Sequence, residues 1–198
     1  MPKCLSPVDS APGLILASSS PQRLALLRTH GFNPEVRQPE VDETQRPDEE
    51  PRTLVRRLAL SKLAAVVADH ETGVAGDTVV VIGDEMLTKP LHQSRAVEML
   101  QLLSGRTHEV LGGLAICHKG QKISQVIRTR VTFRKLTAEE IDAYSKTNVP
   151  LQKAGAYAIQ NDAAGFVIST DGCRENVIGL SMPAVLAALR FLDAESAN

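Results

Sequence analysis

A short apolar run, Leu14 to Ala17, passes directly into Ser18-Ser19-Ser20-Pro21-Gln22-Arg23 and then into a helical pattern from Leu24 to Arg28. The feature sets a strand and a helix in immediate succession, with three serines between them. Ser20 suits an N-cap and Pro21 the first helical position, so a helix should start here. The free backbone N–H groups of that start, and its partial positive charge, then face whatever the serines face. Phosphates bind at such ends, and Arg23 in the first turn can add a forked cationic clamp. Ordinary helix capping beside a surface arginine uses the same residues, and the segment alone does not separate the two.

The rest of the chain continues the alternation. Phe32 to Arg37 reads as a short strand, followed by an acidic, proline-containing loop from Pro39 to Pro51 and a helix over 53–70. Lys62 falls on the stripe of that helix marked by Leu58 and Val66, where a lysine either snorkels at the edge or faces a ligand. Gly76 to Ile82 reads as a strand and Gly83-Asp84 as a two-residue hairpin turn. The register then sets Ile82 opposite Glu85 and carries Thr78 opposite Lys89, with Asp77 on the other face, unless the ladder opens near Pro90.

Further on, a helix over 94–104 ends at Gly105, and a long hairpin over 107–118 and 122–135 turns at Lys119-Gly120. Thr137 to Glu140 is a capping box that opens a helix to about Lys146. A glycine-containing loop over 153–157 leads to Gln160 and a strand over 165–169. Ser181-Met182-Pro183 opens a last helix whose Val185, Leu189 and Leu192 face the core. Because several strands are hairpin-joined, the fold class expected is α/β with a mixed sheet and flanking helices. Residues 1–13 read as a loose N-terminal extension and 14–198 as a single domain.

Composition narrows the function. A formal net charge of −1 with six aromatic residues, four Phe and two Tyr, does not suit a nucleic-acid surface, which needs a basic face or stacking platforms. Cys4, Cys117 and Cys173 are scattered, and the five histidines lack ligand spacing, so neither disulfides nor a zinc site is indicated. Those histidines are expected to be exposed or hydrogen-bonded in the core. No apolar run has signal-peptide or transmembrane character, which leads us to expect a cytoplasmic protein with no membrane partner. The dinucleotide and P-loop fingerprints are absent from the sequence.

Cations (Arg23, Lys62, Lys89, Lys153) and carboxylates at loop or strand ends (Glu40, Asp42, Glu43, Asp77) recur. Phosphate-ester hydrolysis needs both: cations to neutralise phosphate oxygens, carboxylates to hold Mg²⁺ and to orient or deprotonate water. The acidic run from Glu40 to Glu50 reads equally as a solvated loop.

Seven blocks in order resemble the Maf (septum-formation) proteins, nucleoside triphosphate pyrophosphatases related in fold to the inosine triphosphatase superfamily. They are L-I-L-A-S-S-S-P-Q-R from 14, V-D-E at 41–43, G-D-T-V-V-V at 76–81, K-P at 89–90, L-S-G-R-T-H-E-V at 103–110, K-A-G-A-Y-A-I-Q at 153–160 and N-V-I-G-L at 176–180. The resemblance implies hydrolysis of a nucleoside triphosphate substrate between its α and β phosphates, a role in clearing particular nucleotides. It implies Asp77 as catalytic acid/base and as a metal ligand, and Glu43 as a second ligand to Mg²⁺ or Mn²⁺. Ser18, Ser20, Arg23, Lys62 and Lys89 would line the phosphate site.

Within the family, Thr78 and Gln160 resemble specificity positions of the dTTP/UTP subgroup, and a glutamine amide offers both a donor and an acceptor to a pyrimidine edge. Gln22 stands where the family usually has arginine and the 7-methyl-GTP subgroup often has tryptophan, so it bears on base choice. Gly76 likewise stands where another small or polar residue is commoner. The resemblance also leaves open a homodimer, and an alternative in which the protein is a nucleotide-binding regulator of cell division with residual hydrolysis.

Overall fold

Strand β1 (Ile15–Ala17) is buried at every position and pairs in parallel with β2 (Glu35–Arg37) and with the start of β3 (Gly73–Ile82). The computed structural model describes residues 13–160 and 165–196, so the expected extension, apart from Gly13, and Cys4 lie outside the described residues. Later come β4 (Glu85–Leu87), β5 (Thr107–His118), β6 (Gln121–Phe133) and β7 (Val167–Asp171). One seven-stranded sheet runs in the order β2-β1-β3-β5-β6-β7, with β4 antiparallel on the far part of β3. The mixed sheet is the one expected. Around it stand α1 (Pro21–Thr29), α2 (Pro51–Val66), α3 (Gln93–Leu103), α4 (Ala138–Ser145), α5 (Arg174–Ile178) and α6 (Met182–Ser196).

Several boundaries differ from the sequence expectation, each for a local reason. β2 begins at Glu35 rather than Phe32: the Phe32 N–H closes the end of α1 on the Leu27 carbonyl, Pro34 has no N–H, and pairing starts with Glu35 N–H on the Leu14 carbonyl. α2 starts at Pro51, a first-position proline, and stops at Val66 rather than His70. There Arg37 Nη1 donates to the Val66 carbonyl at 3.0 Å, and Glu71 accepts from the Ala68 N–H at 2.8 Å. β3 begins at Gly73, ahead of the expected Gly76, because Gly73 and Val74 pair with β1.

The hairpin turn is as expected, with Ile82 opposite Glu85, but the ladder ends at Val80 and Leu87 and does not carry Thr78 opposite Lys89. Beyond β4, the Thr88 carbonyl accepts from Gly155 N–H at 3.4 Å, and Pro90 has no donor to continue the pairing. The Thr137–Glu140 capping box is present in full. β7 is shifted to Val167–Asp171, and two 3₁₀ turns, Pro150–Gln152 and Ala154–Ala156, occupy what the sequence left as loop.

The described residues form two compact units. One takes the chain up to Asp77, with Gly112–Ile127 and the residues from Gly179 on. Its core sets Ile15 and Leu63 beside Ala59, Ala75 and Ala115, alanines small enough for close helix-to-sheet approach. The approach is closest at Gly113, where a Cβ would overlap the Val55 carbonyl, so the backbone of α2 rests on the backbone of β5. The second unit takes Thr78–Leu111 and Arg128–Ile178. Its core joins Val80, Leu100, Leu103 and Val131 to an aromatic group in which Phe133 and Tyr157 meet edge to face, centroids 4.8 Å apart.

Candidate active site

The strand-to-helix loop is bound into a small network of its own. Ser20 caps α1: its Oγ accepts from the Arg23 N–H at 3.5 Å, and its hydroxyl donates to Gln22 Oε1 at 3.2 Å. Ser18, 4% exposed, accepts from the Ser20 N–H at 3.2 Å and from Arg23 Nη1 at 3.0 Å. Arg23 Nε donates to the Gly179 carbonyl at 2.9 Å. Two glycines make room for this guanidinium. A Cβ on Gly76 would lie 3.4 Å from Arg23 Nε and 3.2 Å from the Gly113 carbonyl, which gives the Gly76 departure a packing reason. Gly179 has φ +142°, a backbone that L side chains rarely adopt.

Lys62 does not snorkel at the edge of its stripe. It is 6% exposed on α2, and its Nζ lies 2.7 Å from Asp77 Oδ1 and 2.9 Å from Glu43 Oε1. A buried lysine on a helix stripe needs such partners, since an unpaired ammonium there is costly. Asp77 is 9% exposed on β3, whereas the Glu43 side chain is 60% exposed. Burial lowers the Arg23 guanidinium from its usual 12.5, and the charges of Asp77 and Glu43 oppose that shift. Arg23, Glu43 and Asp77 therefore act in one electrostatic neighbourhood.

The acidic loop is solvated, as one reading of its composition had it, with Glu40, Asp42 to Asp48 and Glu50 exposed and Glu49 the exception. Glu49 is buried and forms a forked pair with Arg57 of α2, at 2.7 Å to Nε and 2.8 Å to Nη2. Arg57 Nη2 also donates to the Thr44 carbonyl at 3.0 Å, which ties down the residue after Glu43. Sequence reasoning passed over this pair: the acid directly before Pro51 is Glu50, which makes no cap bond, and nothing local singles out Glu49. It also passed over Gly179, which was quoted only as part of a block.

Of the remaining expected positions, Thr78, Lys89, Lys153 and Gln160 belong to the second unit, and Glu40 and Asp42 to the first. Thr78 follows Asp77 on β3 and is half-buried; Lys89 is exposed after β4; Gln160 is exposed in the turn after Tyr157. Lys153 is half-buried, and Glu40 and Asp42 are exposed, Asp42 accepting from the Thr44 N–H at 2.9 Å. The histidine expectation holds for His118, which bonds Thr72 and Asp193, and for His108, whose Nε2 bonds Tyr157, although His108 Nδ1 has no hydrogen-bond partner.

Glu43 and Asp77 are hard oxygen donors already drawn to a common point, a chemistry suited to Mg²⁺ or Mn²⁺. Among the described residues no group of three or more Asp, Glu, His or Cys could hold a metal. Two carboxylates, both paired here with Lys62, match only an ion that draws its other ligands from water or phosphate oxygens, as Mg²⁺ commonly does. No helix among the described residues is long and apolar enough to cross a membrane.

The class defined by this fold and loop is an α/β protein whose serine-rich strand-to-helix turn is braced by a buried arginine, with two carboxylates paired to one buried lysine. The chain belongs to the Maf family: the family profile described as Maf-like protein matches residues 13–192. It is similar to a protein of Bacillus cytotoxicus named dTTP/UTP pyrophosphatase, 41% identical over 186 residues, 93% of this chain and 97% of that protein. A protein of Desulforamulus reducens with the same name is 40% identical, over 92% of this chain and 97% of its own length. Another so named, from Anaeromyxobacter dehalogenans, is 43% identical, over 91% and 94%.

Proposed function

We propose that this protein hydrolyses nucleoside triphosphates between the α and β phosphates, releasing a nucleoside monophosphate and pyrophosphate, with dTTP and UTP as preferred substrates. The observation that carries the reading is the convergence of Asp77 and Glu43 on Lys62, with Arg23 in the same electrostatic neighbourhood. The names of the similar proteins support the substrate class. The family match spans both compact units, which supports treating 14–198 as one catalytic domain.

In this reading Ser18, Ser20 and the N–H groups at the start of α1 receive phosphate oxygens, and Arg23 and Lys62 balance their charge. Lys89 adds a further cation. Asp77 accepts a proton from the attacking water, or orients that water, as a positioned carboxylate does. Lys62 holds the carboxylate oxygens of Asp77 and Glu43 in place until substrate arrives. Glu43 and Asp77 are the residues to hold Mg²⁺ or Mn²⁺, which when bound neutralises phosphate charge and makes water a better nucleophile. Thr78, Gln160 and Gln22 set the choice of base.

Purified protein incubated with a panel of triphosphates and Mg²⁺ or Mn²⁺ tests this directly. Pyrophosphate rather than orthophosphate is expected, fastest from dTTP and UTP. No pyrophosphate from any nucleotide would sink the reading; tight nucleotide binding in that case would favour the regulatory alternative.

A further inference from the structure

His108 is 1% exposed on β5, and its ring packs edge to face on Phe133 and on Tyr157, centroids 5.0 Å and 5.3 Å away. Its Nε2 shares a hydrogen bond of 2.8 Å with the Tyr157 hydroxyl. Its Nδ1 is the one buried side-chain nitrogen or oxygen among the described residues that makes no hydrogen bond. Either neutral tautomer leaves something unmatched there, a proton or a lone pair. A phenylalanine pair at 108 and 157 would offer similar ring packing without that defect. What the imidazole adds is a directed bond to Tyr157.

Tyr157 lies in a segment that needs holding. Gly155 and Ala156 are both left-handed, at φ +68° and +61°, and Ala156, a non-glycine residue, is fully buried in that strained state. A Cβ on Gly155 would come within 2.9 Å of Val80 Cγ2. Successive residues are then pinned: Gly155 N–H to the Thr88 carbonyl at 3.4 Å, Ala158 N–H to the Tyr144 hydroxyl at 3.1 Å, and the Ile159 carbonyl to Arg174 Nη2 at 2.8 Å. His108 supplies the side-chain anchor in the middle of this run. Gln160 follows at its end.

We propose that His108 is a positioning residue for nucleobase selection, fixing through Tyr157 the arm from which Gln160 reads the base. The proposal rests on the reading of Gln160 as a base contact. A glutamine amide carries its donor and acceptor on one terminus, so a half-turn of that terminus exchanges them. It favours the uracil or thymine edge over the reversed cytosine edge only if its orientation is set from behind. An arm left loose lets the amide turn to suit either base.

The test compares kcat/KM for UTP and CTP in wild type, His108→Phe, Tyr157→Phe and the His108→Phe/Tyr157→Phe double variant, with melting temperatures for each. Replacing both polar partners removes the unmatched nitrogen, so the double variant should melt at or above the wild-type temperature. Its UTP:CTP ratio should nevertheless fall at least tenfold, through a raised KM for UTP with kcat within about twofold. His108→Gln, which keeps a donor, should recover part of the ratio. A folded double variant with the wild-type ratio would overturn the proposal, and Tyr157→Phe alone decides the matter if the double variant does not fold. An unchanged ratio in Gln160→Ala overturns the reading of Gln160 and this proposal together, while a change there with none in the other variants overturns only the role of His108.

Discussion

Lys62 Nζ meets Asp77 Oδ1 at 2.7 Å, with the two side chains only 8% and 12% exposed. The pair joins the C-terminal half of α2 to a strand, and its two members should respond differently to substitution. Removing the ammonium in Lys62→Met leaves a buried carboxylate unpaired and should cost about 3–5 kcal/mol. Asp77→Asn keeps an acceptor for Lys62, so its unfolding midpoint should stay near wild type while turnover falls by ~10²–10⁴-fold. Urea unfolding and pyrophosphate release, measured on both variants, separate the two outcomes.

Gly113→Ala should be among the most damaging small substitutions in the chain. The added methyl would overlap the Val55 carbonyl, which no side-chain rotation can relieve. A loss of at least about 3 kcal/mol is expected, the upper end for inserting atoms into a packed interior. A melting temperature within a few degrees of wild type would contradict the backbone contact.

Acid should unfold the protein in two windows. Glu49, Glu71 and Glu140 are each held at about 2, from an ordinary 4.5, chiefly by hydrogen bonds from Arg57, Arg37 and Arg134 respectively. Their folded values are depressed, so their contribution is complete above pH 4.5 and is lost as pH falls toward 2. Glu49→Gln should flatten that limb of the stability curve.

His108 acts at higher pH. Burial pushes its imidazole down to about 4 from 6.5, so the unfolded chain takes up a proton that the folded one refuses. Stability should therefore drop as pH falls from 6.5 toward 4, by up to about 1.4 kcal/mol per pH unit for one proton. His108→Phe should shrink that slope, read from urea midpoints at pH 7, 5.5 and 4.5.

Gln22 accepts the Ser20 hydroxyl at 3.2 Å, next to the proposed phosphate site. Gln22→Arg places one more cation there, where about 1 kcal/mol of attraction corresponds to roughly fivefold in binding. That general attraction lowers KM for every triphosphate alike; as a residue that sets base choice, Gln22 should add a change in the ranking of dTTP and UTP against the other nucleotides, with kcat little changed. A uniform shift that leaves the ranking as it was would remove Gln22 from base choice.

What the sequence made legible was local. The Ser20 cap, the Gly83-Asp84 turn and the Thr137 capping box each depend on residues within a few positions of one another, and all three stand as read. Lys62 could be placed on the stripe of its helix, but its direction was settled only by Asp77, fifteen residues away, and Glu43. Most of the features missed depend on distant partners. Gly73 joins the sheet because of Ile15, α2 stops because Arg37 reaches Val66, and Gly179 matters because Arg23 donates to it. His108 gave no sign in the sequence, since only burial reveals a nitrogen without a partner.

The contact of Gly113 with Val55 sets the height of α2 by main-chain atoms, not by the volumes of the side chains around it. Leu54, Leu58 and Leu63 can then be exchanged for other apolar residues at some cost in stability, while the helix keeps its level above the strand. The ammonium of Lys62, carried on that helix, is thereby insulated from drift in the core. A lineage could rewrite much of this interior and still present the same charge at the same depth.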